Sequence, residues 1–413
     1  MLVHGDCVAV MATMPPASVS AIVCDPPYGL VFMGRGWDDL GHGNAQQAWH
    51  ARWLTEALRI LKPGGHLLAF GGTRTYHRLA CAAEDVGFEI RDSLHWHYGS
   101  GMAKGLNVGK AVDAKLVHGR TKVTRDQPQT PEGAQWDGWA TGLAPAHEPI
   151  LLARKPPAGN VAANVLAHGT GALNIDACRT GTVGGSTQPS GMDRYNAANA
   201  THGYRPSADQ KGTPPLPLPK GRWPKNVLFT HAPGCAAECV EGCPVAGLDA
   251  QSGVRKSGAH KRSHVRNVPR LGAGGVYGEE KKADKAFTRA RPASSGGASR
   301  FFPVTSWDPV YDLPFLYTAK TAKKEREAGC EKLAERHGRK RGNNHATVKP
   351  VAVMRWCLRL VTPPGGVVLD PFAGSGTTLV AARLEGIECI GVEQEAGHCE
   401  IAAAREAHAG PLR

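Results

Sequence analysis

The segment Asp25-Pro26-Pro27-Tyr28 puts a carboxylate, a rigid turn and an aromatic ring directly after the apolar run 20–24. Because two prolines cannot continue strand or helix hydrogen bonding, the run is predicted to end there, with Cys24 as a small buried residue. An acid and a carbonyl held by such a turn can accept hydrogen bonds from a ligand, and an aromatic ring can stack on a planar one. The candidate functional residues are therefore Asp25, Pro26, Pro27 and Tyr28. Taken alone, a turn with a capping aspartate would account for the same four residues.

A second candidate site lies near the end of the chain, where "LDPFAGSGTT" leads from an apolar run into a helical pattern. Glycines at a strand-to-helix junction allow the backbone to approach a ligand closely. The segment is not a P-loop, because no Gly-Lys-Ser/Thr follows, and it lacks the third glycine of a dinucleotide fingerprint. Glu393 ends the next apolar run, where an acid can accept both hydroxyls of a ribose. We expect an adenosine-containing cofactor to bind at Asp370, Pro371, Phe372, Ala373, Gly374, Ser375, Gly376, Thr377 and Glu393.

The two motifs together resemble those of the amino-methylating DNA methyltransferases. "DPFAGSGTT" with "GVEQE" is similar to the half of these enzymes that binds S-adenosylmethionine, and "DPPYG" is similar to their catalytic motif. Their order resembles that of the permuted beta group, whose target recognition region lies between the motifs. The resemblance is to the site-specific, phage- or prophage-like members of that group. "GDCVAVMATMPPASVSAIVCDPPYG" resembles the opening of that group, and "HATVKP" its H-P-T-x-K-P segment, with Ala346 where proline is usual. The resemblance covers roughly residues 1–155 and 320–410.

The resemblance implies methyl transfer from S-adenosylmethionine to the exocyclic amine of a base flipped out of DNA. In it, Asp25 and the Pro26 carbonyl would accept hydrogen bonds from the amine, and Tyr28 would stack on the base. The implied cofactor contacts also include Asp6, Cys7 and Lys349. A helix N-cap would equally explain the first of these, and a surface position the last.

The target base is expected to be adenine, methylated at N6. In the resembled group, an aspartate at the start of the catalytic motif accompanies adenine more often, whereas a serine accompanies cytosine N4. The pocket chemistry permits either amine. Cytosine-N4 methylation, methylation of an RNA amine, and an inactive DNA-binding protein with the same fold are the alternatives that stay open.

The pattern around the motifs predicts an α/β fold, with a mostly parallel, Rossmann-like S-adenosylmethionine-dependent methyltransferase sheet that carries helices on both faces. Strands are predicted at 20–24, 66–72, 88–99 and 147–155, and helices at 49–65, 76–87, 348–362 and 396–409. Between them, Gly, Pro, Ser and Thr accumulate and periodicity largely disappears, which is typical of a large irregular insertion. The predicted domains are a catalytic half at 1–154, an inserted target-recognition region at 155–320 and a cofactor-binding half at 321–413 that completes the same sheet.

The chain is basic, with 49 Lys and Arg against 36 Asp and Glu and a net charge of +13. The excess is uneven, because residues 251–300 hold twelve basic against three acidic side chains. Such a segment can neutralise phosphates along a duplex, although a solvated charge run would have the same composition. Double-stranded DNA is therefore the expected partner. The candidate nucleic-acid contacts are Arg255, Lys256, Lys261, Arg262, Arg266 and Arg270.

A histidine and three cysteines, His231, Cys235, Cys239 and Cys243, occupy every fourth position of one segment of the insertion. Four zinc-type ligands so close together indicate a structural zinc site. A short helix that displays its cysteines on one face is the competing interpretation.

The cellular setting is predicted from what the sequence lacks. Eleven cysteines in 413 residues do not form a small-domain disulfide framework, which favours a reducing compartment. No segment approaches the ~20 apolar residues of a membrane span, and no signal peptide is evident. The expectation is a cytoplasmic protein of a bacterial or phage-infected cell, with no membrane partner. It is expected to be a monomer or a homodimer, with a cognate restriction endonuclease as a candidate partner.

Overall fold

The computed structural model describes most of the chain outside its central region. The described residues are 1–31, 34, 36–98, 105–118, 130–179, 223–230, 239, 241, 243–253, 255–257, 263–264, 287–288, 294–296, 304–305, 323–336 and 342–410. Within these ranges, no helix has the length and apolar character that crossing a membrane would require.

The strands of this described part are numbered in chain order. They are β1 (Leu2–His4), β2 (Val19–Cys24), β3 (Leu61–Phe70), β4 (Glu89–His97), β5 (His147–Arg154), β6 (Val227–Thr230), β7 (Arg255–Ser257), β8 (Ser263–His264), β9 (Phe287–Thr288), β10 (Ser294–Gly296), β11 (Val304–Thr305), β12 (Val367–Asp370) and β13 (Glu388–Glu393).

The helices are numbered in the same way. They are α1 (Cys7–Thr13), α2 (Asn44–Ile60), α3 (Tyr76–Asp85), α4 (Val108–His118), α5 (Pro131–Gln135), α6 (Val161–His168), α7 (Pro244–Ser252), α8 (Lys323–Glu327), α9 (Glu331–Arg336), α10 (Val351–Val361), α11 (Thr377–Glu385) and α12 (Ala396–His408). Short 3-10 turns occur at Gly36–Asp38 and Asp176–Cys178.

Nine of the described strands form one sheet, in the order β1-β13-β12-β2-β3-β5-β4-β6-β11. The pairs from β1 to β3 are parallel, whereas β5 runs antiparallel to both β3 and β4. The predicted mostly parallel α/β sheet is therefore confirmed. Because β12 and β13 lie between β1 and β2, strands from the two ends of the chain complete a single sheet.

The direction of the strand order reverses between β12 and β2. Helix α11 leads from β12 to β13 on one side, and α2 leads from β2 to β3 on the other. In open parallel sheets a crevice forms at the carboxyl ends of two such strands, and ligands bind there. Val368 pairs with Ala21 and Leu369 with Ile22, so the segments that follow β12 and β2 emerge side by side.

Apolar layers cover both faces of the sheet, because side chains alternate along each strand. Ala21 and Val23 point to one face, where they pack with α10 and α11. Ile22 and Cys24 point to the other, where they pack with α2 and α3. The predicted helices on both faces are thus present, and Cys24 is fully buried.

The turn between α2 and β3 differs from the sequence prediction. Helix α2 spans Asn44–Ile60 instead of 49–65, and β3 begins at Leu61 and includes Pro63-Gly64-Gly65. Gly64 has a φ of +77°, and the pairing of β2 with β3 shifts register near this point. The Pro63 carbonyl accepts hydrogen bonds from Asn164 Nδ2 at 2.9 Å and Thr170 Oγ1 at 2.5 Å. Side-chain donors from a segment about 100 positions away thus satisfy the Pro63 carbonyl.

Part of the predicted irregular insertion packs against the sheet. Asn174 N donates to the Leu360 carbonyl at 2.8 Å, and Cys178 is buried in the apolar layer that contains α10. The insertion also contributes a strand to the sheet, since β6 pairs with β4. The division into domains remains a prediction.

Candidate active site

The two sequence motifs meet at the crevice between β2 and β12. A cavity of about 580 Å³ lies there, and all four catalytic candidates, Asp25, Pro26, Pro27 and Tyr28, line it. The cofactor candidates that line it are Asp6, Cys7, Lys349, Asp370, Pro371, Phe372, Ala373, Gly374, Ser375, Thr377 and Glu393. Gly376 lies behind this surface, where an added Cβ would come within 2.8 Å of the Ala402 Cβ.

Asp25 has one paired and one unpaired carboxylate oxygen. Its Oδ2 accepts a hydrogen bond from Lys349 Nζ at 2.6 Å, whereas its buried Oδ1 has no hydrogen-bond partner among the described residues. Burial raises the pKa of Asp25 above its ordinary value, the Lys349 ammonium opposes that rise, and Glu148 adds to it. A buried acceptor without a partner is costly, and in native structures it calls for a specific explanation. A donor on a bound ligand would satisfy this atom once a side-chain shift exposes it.

The turn that carries the tyrosine is held by Asp38. Its Oδ1 accepts hydrogen bonds from Tyr28 N at 2.7 Å and from Gly29 N at 2.9 Å. Its Oδ2 accepts a third from Leu30 N at 3.1 Å, and Gln46 Nε2 donates to the Tyr28 carbonyl at 2.9 Å. Because these bonds fix the backbone, the half-buried Tyr28 ring has a defined position in the cavity wall.

Lys349 lies between two carboxylates. Its Nζ is 2.6 Å from Asp25 Oδ2 and 3.3 Å from Glu148 Oε2, and the Tyr28 hydroxyl donates to the same Glu148 oxygen at 2.9 Å. Its ammonium also lies 5.3 Å from the Tyr28 ring centre and 5.2 Å from that of Phe70. Burial disfavours the ammonium, but Asp25 and Glu148 outweigh burial and hold the pKa of Lys349 above its ordinary value. The alternative of a surface lysine is wrong, since Lys349 is buried.

The glycine turn is closed onto Glu393. Gly374 N donates to Glu393 Oε2 and Glu395 N donates to Oε1, each at 2.8 Å. Burial disfavours the ionised carboxylate, but hydrogen bonds from His398 and from these two amides lower the pKa of Glu393. Gly374 has a φ of +53°, and an added Cβ would lie 2.8 Å from His345 Nε2. Glycine is therefore required here, and an ionised acid lies beside the turn.

Asp370 braces the start of the same turn from inside. Its Oδ1 accepts a hydrogen bond from Phe372 N at 3.0 Å, and its Oδ2 accepts one from Thr378 Oγ1 at 2.5 Å. Burial raises the pKa of Asp370 to about 7, while these two hydrogen bonds oppose the rise. The Phe372 ring packs 5.2 Å from the Trp53 ring and 6.1 Å from that of Trp49. The turn is thus held by both polar and aromatic contacts.

Asp6 is the N-cap of α1 and also lies in the cavity wall. Its Oδ1 accepts hydrogen bonds from Val8 N and Ala9 N, each at 3.0 Å, so it is the N-cap of α1. It also lines the cavity together with Cys7. Burial, with Asp6 adding to it, raises the pKa of Cys7 to about 12, so that thiol stays protonated. Contact of these two residues with a cofactor remains a prediction.

The residues of the cavity wall that sequence reasoning missed include Trp37, Asp38, Trp49 and Glu148. The available signal for Glu148 was an acid at the start of the run "HEPILLAR", whose later residues are buried. Asp38 follows the catalytic motif closely, but nothing local marks it as the anchor of that turn. Trp49 cannot be distinguished by pattern from the buried Trp53 on the same helix.

The predicted DNA contacts lie almost wholly outside the described residues. Arg255 and Lys256 belong to β7, whose backbone pairs with β10, but their side chains are not described. Lys261, Arg262, Arg266 and Arg270 lie outside the described residues altogether. Their role remains a prediction.

The predicted zinc ligands are described only in part. His231 and Cys235 lie outside the described residues, while Cys239 is exposed and Cys243 is buried just before α7. The described part of the chain contains no group of three or more His, Cys, Asp or Glu side chains placed to hold a metal ion. Zinc binding at these four positions stays a prediction.

Comparison with known proteins identifies relatives over most of the chain. A family model described as DNA methylase, N6_N4_Mtase, matches residues 19–404. The type II methyltransferase M.HindIII of Haemophilus influenzae is 28% identical over 144 residues, which are 34% of this chain and 43% of that protein. The chain thus matches less than half the length of this relative.

Solved structures are similar at low sequence identity. TTHA0409 of Thermus thermophilus, described as a DNA modification methylase, has a TM-score of 0.39 and 16% identity, with 98% of this chain and 94% of that chain covered. The PvuII DNA methyltransferase, which is cytosine-N4-specific, has a TM-score of 0.45 and 13% identity, with 98% and 85% covered.

Proposed function

Because the chain belongs to the N6/N4 DNA methylase family, we propose that it transfers a methyl group from S-adenosylmethionine to the N6 amine of an adenine flipped out of double-stranded DNA. The observation that carries the proposal is the buried, unpaired Oδ1 of Asp25, in a residue that shares one cavity with Gly374 and Glu393. An acceptor for an amine and a turn suited to a nucleoside thus lie within one crevice.

The residues of the glycine turn fit the cofactor. S-adenosylmethionine supplies an electrophilic methyl group on a positively charged sulfur. The cavity volume of about 580 Å³ lies within the range of roughly 300–1,000 Å³ usual for small-molecule sites. Glu393 is held ionised, and its Oε2, the oxygen that accepts from Gly374 N, keeps a further lone pair. It can therefore accept the hydroxyls of a ribose, as proposed from its position after β13.

The catalytic turn fits an exocyclic amine as substrate. The Tyr28 ring would hold the extruded base by stacking, which is worth roughly 1–3 kcal/mol per base. Asp25 and the Pro26 carbonyl would accept the two amine hydrogens, so that the nitrogen lone pair leaves the ring system and points at the methyl carbon. Bound at the glycine turn, S-adenosylmethionine would supply the methyl carbon, and the amine lone pair would form the new bond as the carbon–sulfur bond breaks, with its electron pair left on sulfur. The nitrogen would then lose one proton to Asp25.

Several finer points belong to the same proposal. Adenine is favoured because aspartate begins the catalytic motif in the resembled group. Membership of the permuted beta group is supported by the order of the motifs, with the cofactor turn after β12 near the chain's end. The similarity to a type II methyltransferase supports a restriction–modification role with a cognate endonuclease.

Radiolabelled methyl transfer to unmethylated genomic DNA, with RNA in a parallel reaction, tests the proposal. We expect labelled DNA, and we expect Asp25→Ala to slow the reaction on the order of 100-fold or more while cofactor affinity persists. Glu84→Gln, an exposed position on α3, is the matched control and should keep the wild-type rate.

Nucleoside analysis of the product names the base. N6-methyladenine supports the full assignment, whereas N4-methylcytosine would replace adenine by cytosine, and label confined to RNA would replace the substrate. Absence of transfer to either polymer, or an unimpaired Asp25→Ala variant, would overturn the proposal.

A further inference from the structure

Glu148 occupies a central place in the cavity wall that the motifs do not explain. It is the second residue of β5, which pairs antiparallel with β3 and so begins at the edge of the sheet where β3 ends. Its side chain is 13% exposed. Its Oε2 accepts the Tyr28 hydroxyl at 2.9 Å and lies 3.3 Å from Lys349 Nζ. One oxygen therefore connects the stacking ring to the buried ammonium.

The three ionisable groups form one charge cluster. Asp25 and Glu148 are acids, and Lys349 is the base between them, at 2.6 Å from the first and 3.3 Å from the second. With both acids ionised, the cluster carries one net negative charge. The carboxylates of Asp25 and Glu148 thus share the Lys349 ammonium.

We propose that Glu148 is a positioning residue for methyl transfer, which shares the Lys349 ammonium with Asp25 and anchors the Tyr28 hydroxyl, so that net negative charge remains beside the reacting amine. The inference rests on the proposed function. Without the second carboxylate, the Lys349 ammonium would balance the charge of Asp25, and the pair would carry no net charge beside the amine. With it, net negative charge remains beside the nitrogen, which becomes positive during transfer.

A purely structural role for Glu148 makes a different prediction. In that case the carboxylate would only tie β5 to the Tyr28 turn, and its loss would lower stability and substrate binding together. An electrostatic role instead lowers kcat at unchanged cofactor affinity, because the negative charge matters most when positive charge develops on the nitrogen.

Glu148→Gln tests the inference, since the amide keeps the size of the side chain and can still accept the tyrosine hydroxyl. We expect kcat to fall on the order of 100-fold, with the KM for DNA, the cofactor Kd and the melting temperature little changed. Glu148→Asp keeps the charge and should retain more of the rate than Glu148→Gln. Glu84→Gln serves again as the control. Should Glu148→Gln not fold, Glu148→Asp against Glu148→Asn makes the same comparison.

A double-mutant cycle with Lys349→Met tests the shared cation directly. The two residues act through one contact, so the double variant should lose less rate than the product of the two single losses. A wild-type kcat in Glu148→Gln, equal rates for the Asp and Gln variants, or multiplicative losses would overturn the inference. Absence of methyl transfer by the wild-type protein would instead refute the proposed function, so the two failures are distinguishable.

Discussion

At the scale of single residues, burial decides the chemistry of the acids in this site. Asp25, Glu393 and Asp370 all lie at the crevice, yet they differ in their partners. Amide donors and a histidine keep Glu393 ionised, whereas burial raises the pKa of both aspartates. An acid that braces a turn and the acid that we propose as the acceptor for a substrate amine therefore lie close together.

Asp370 gives a prediction about the pH dependence of stability. Its pKa is about 7 in the folded protein and near 4 in an unfolded chain, so the folded state holds an extra proton between these values. The contribution of Asp370 to the free energy of unfolding is therefore largest below about pH 4 and is lost as the pH rises through 7. We therefore compare the free energy of unfolding of Asp370→Asn with that of wild type. The variant-minus-wild-type difference should be greater at pH 8 than at pH 5 by on the order of 1–3 kcal/mol.

Urea unfolding at the two pH values measures this difference, with Asp137→Asn at an exposed position as the control. The same difference between variant and wild type at both pH values would contradict a raised pKa of Asp370.

At the scale of elements, the loop that follows β2 matters as much as the strand itself. Asp38 is 2% exposed and accepts hydrogen bonds from three consecutive backbone amides, those of Tyr28, Gly29 and Leu30. The prolines start the turn, but this carboxylate completes it. A short 3-10 turn thus fixes the direction of the aromatic ring.

Asp38→Ala should therefore impair methyl transfer through the turn. Loss of the carboxylate leaves buried amides without partners, at about 1–3 kcal/mol for each unsatisfied group, and releases the Tyr28 backbone. We expect a lower kcat and a lower melting temperature, with the cofactor Kd maintained. Asp137→Ala is the control, measured by the same transfer assay and by calorimetry. Unchanged kcat in a folded Asp38→Ala protein would show that the turn holds its shape without this anchor.

For the strand-to-helix turn after β12 we expect a loss of cofactor binding, whereas the Asp38 variant should keep it. In Gly374→Ala the new Cβ would meet His345 in a backbone conformation that alanine rarely adopts. We expect the cofactor Kd to rise at least about 10-fold, or ~1.4 kcal/mol, with DNA affinity preserved. Gly247→Ala on α7, where an added Cβ meets nothing within 4 Å, is the control. A wild-type Kd in calorimetry would refute the close approach inferred for Gly374.

At the scale of the whole molecule, the sheet is complete only when both ends of the chain are present. β1 pairs with β13, and β2 pairs with β12. The amino-terminal part alone would leave β1 without its partner and an edge of β2 unpaired, and such edges favour aggregation. We therefore expect the Asp25–Tyr28 turn and the glycine turn after β12 to depend on each other for folding as well as for chemistry.

A chain split between residues 200 and 201 tests this dependence. Each fragment alone should be poorly folded by circular dichroism and should not bind cofactor, because each lacks neighbouring strands of the sheet. Co-expression should restore a complex that binds cofactor. A folded, cofactor-binding carboxyl-terminal fragment on its own would contradict the single-sheet account.

Local patterns in the sequence were sufficient to predict a mostly parallel α/β sheet and to locate the two motifs. Proline and glycine act on their own backbone, and apolar periodicity reflects burial within one element, so both are visible without tertiary contacts. This is why Asp25, Tyr28, Gly374 and Glu393 could be named in advance.

The tertiary structure alone decided which side chains, far apart in the sequence, form ion pairs and hydrogen bonds. Lys349 meets Asp25 across 324 positions and Glu148 meets Tyr28 across 120, through strands whose adjacency follows from the order of the sheet. Contact energies of this kind depend on distance in space and on burial, and neither is a property of a local segment. The contacts of Lys349 and Glu148 with the Asp25–Tyr28 turn therefore became visible only when both ends of the chain were placed in one sheet.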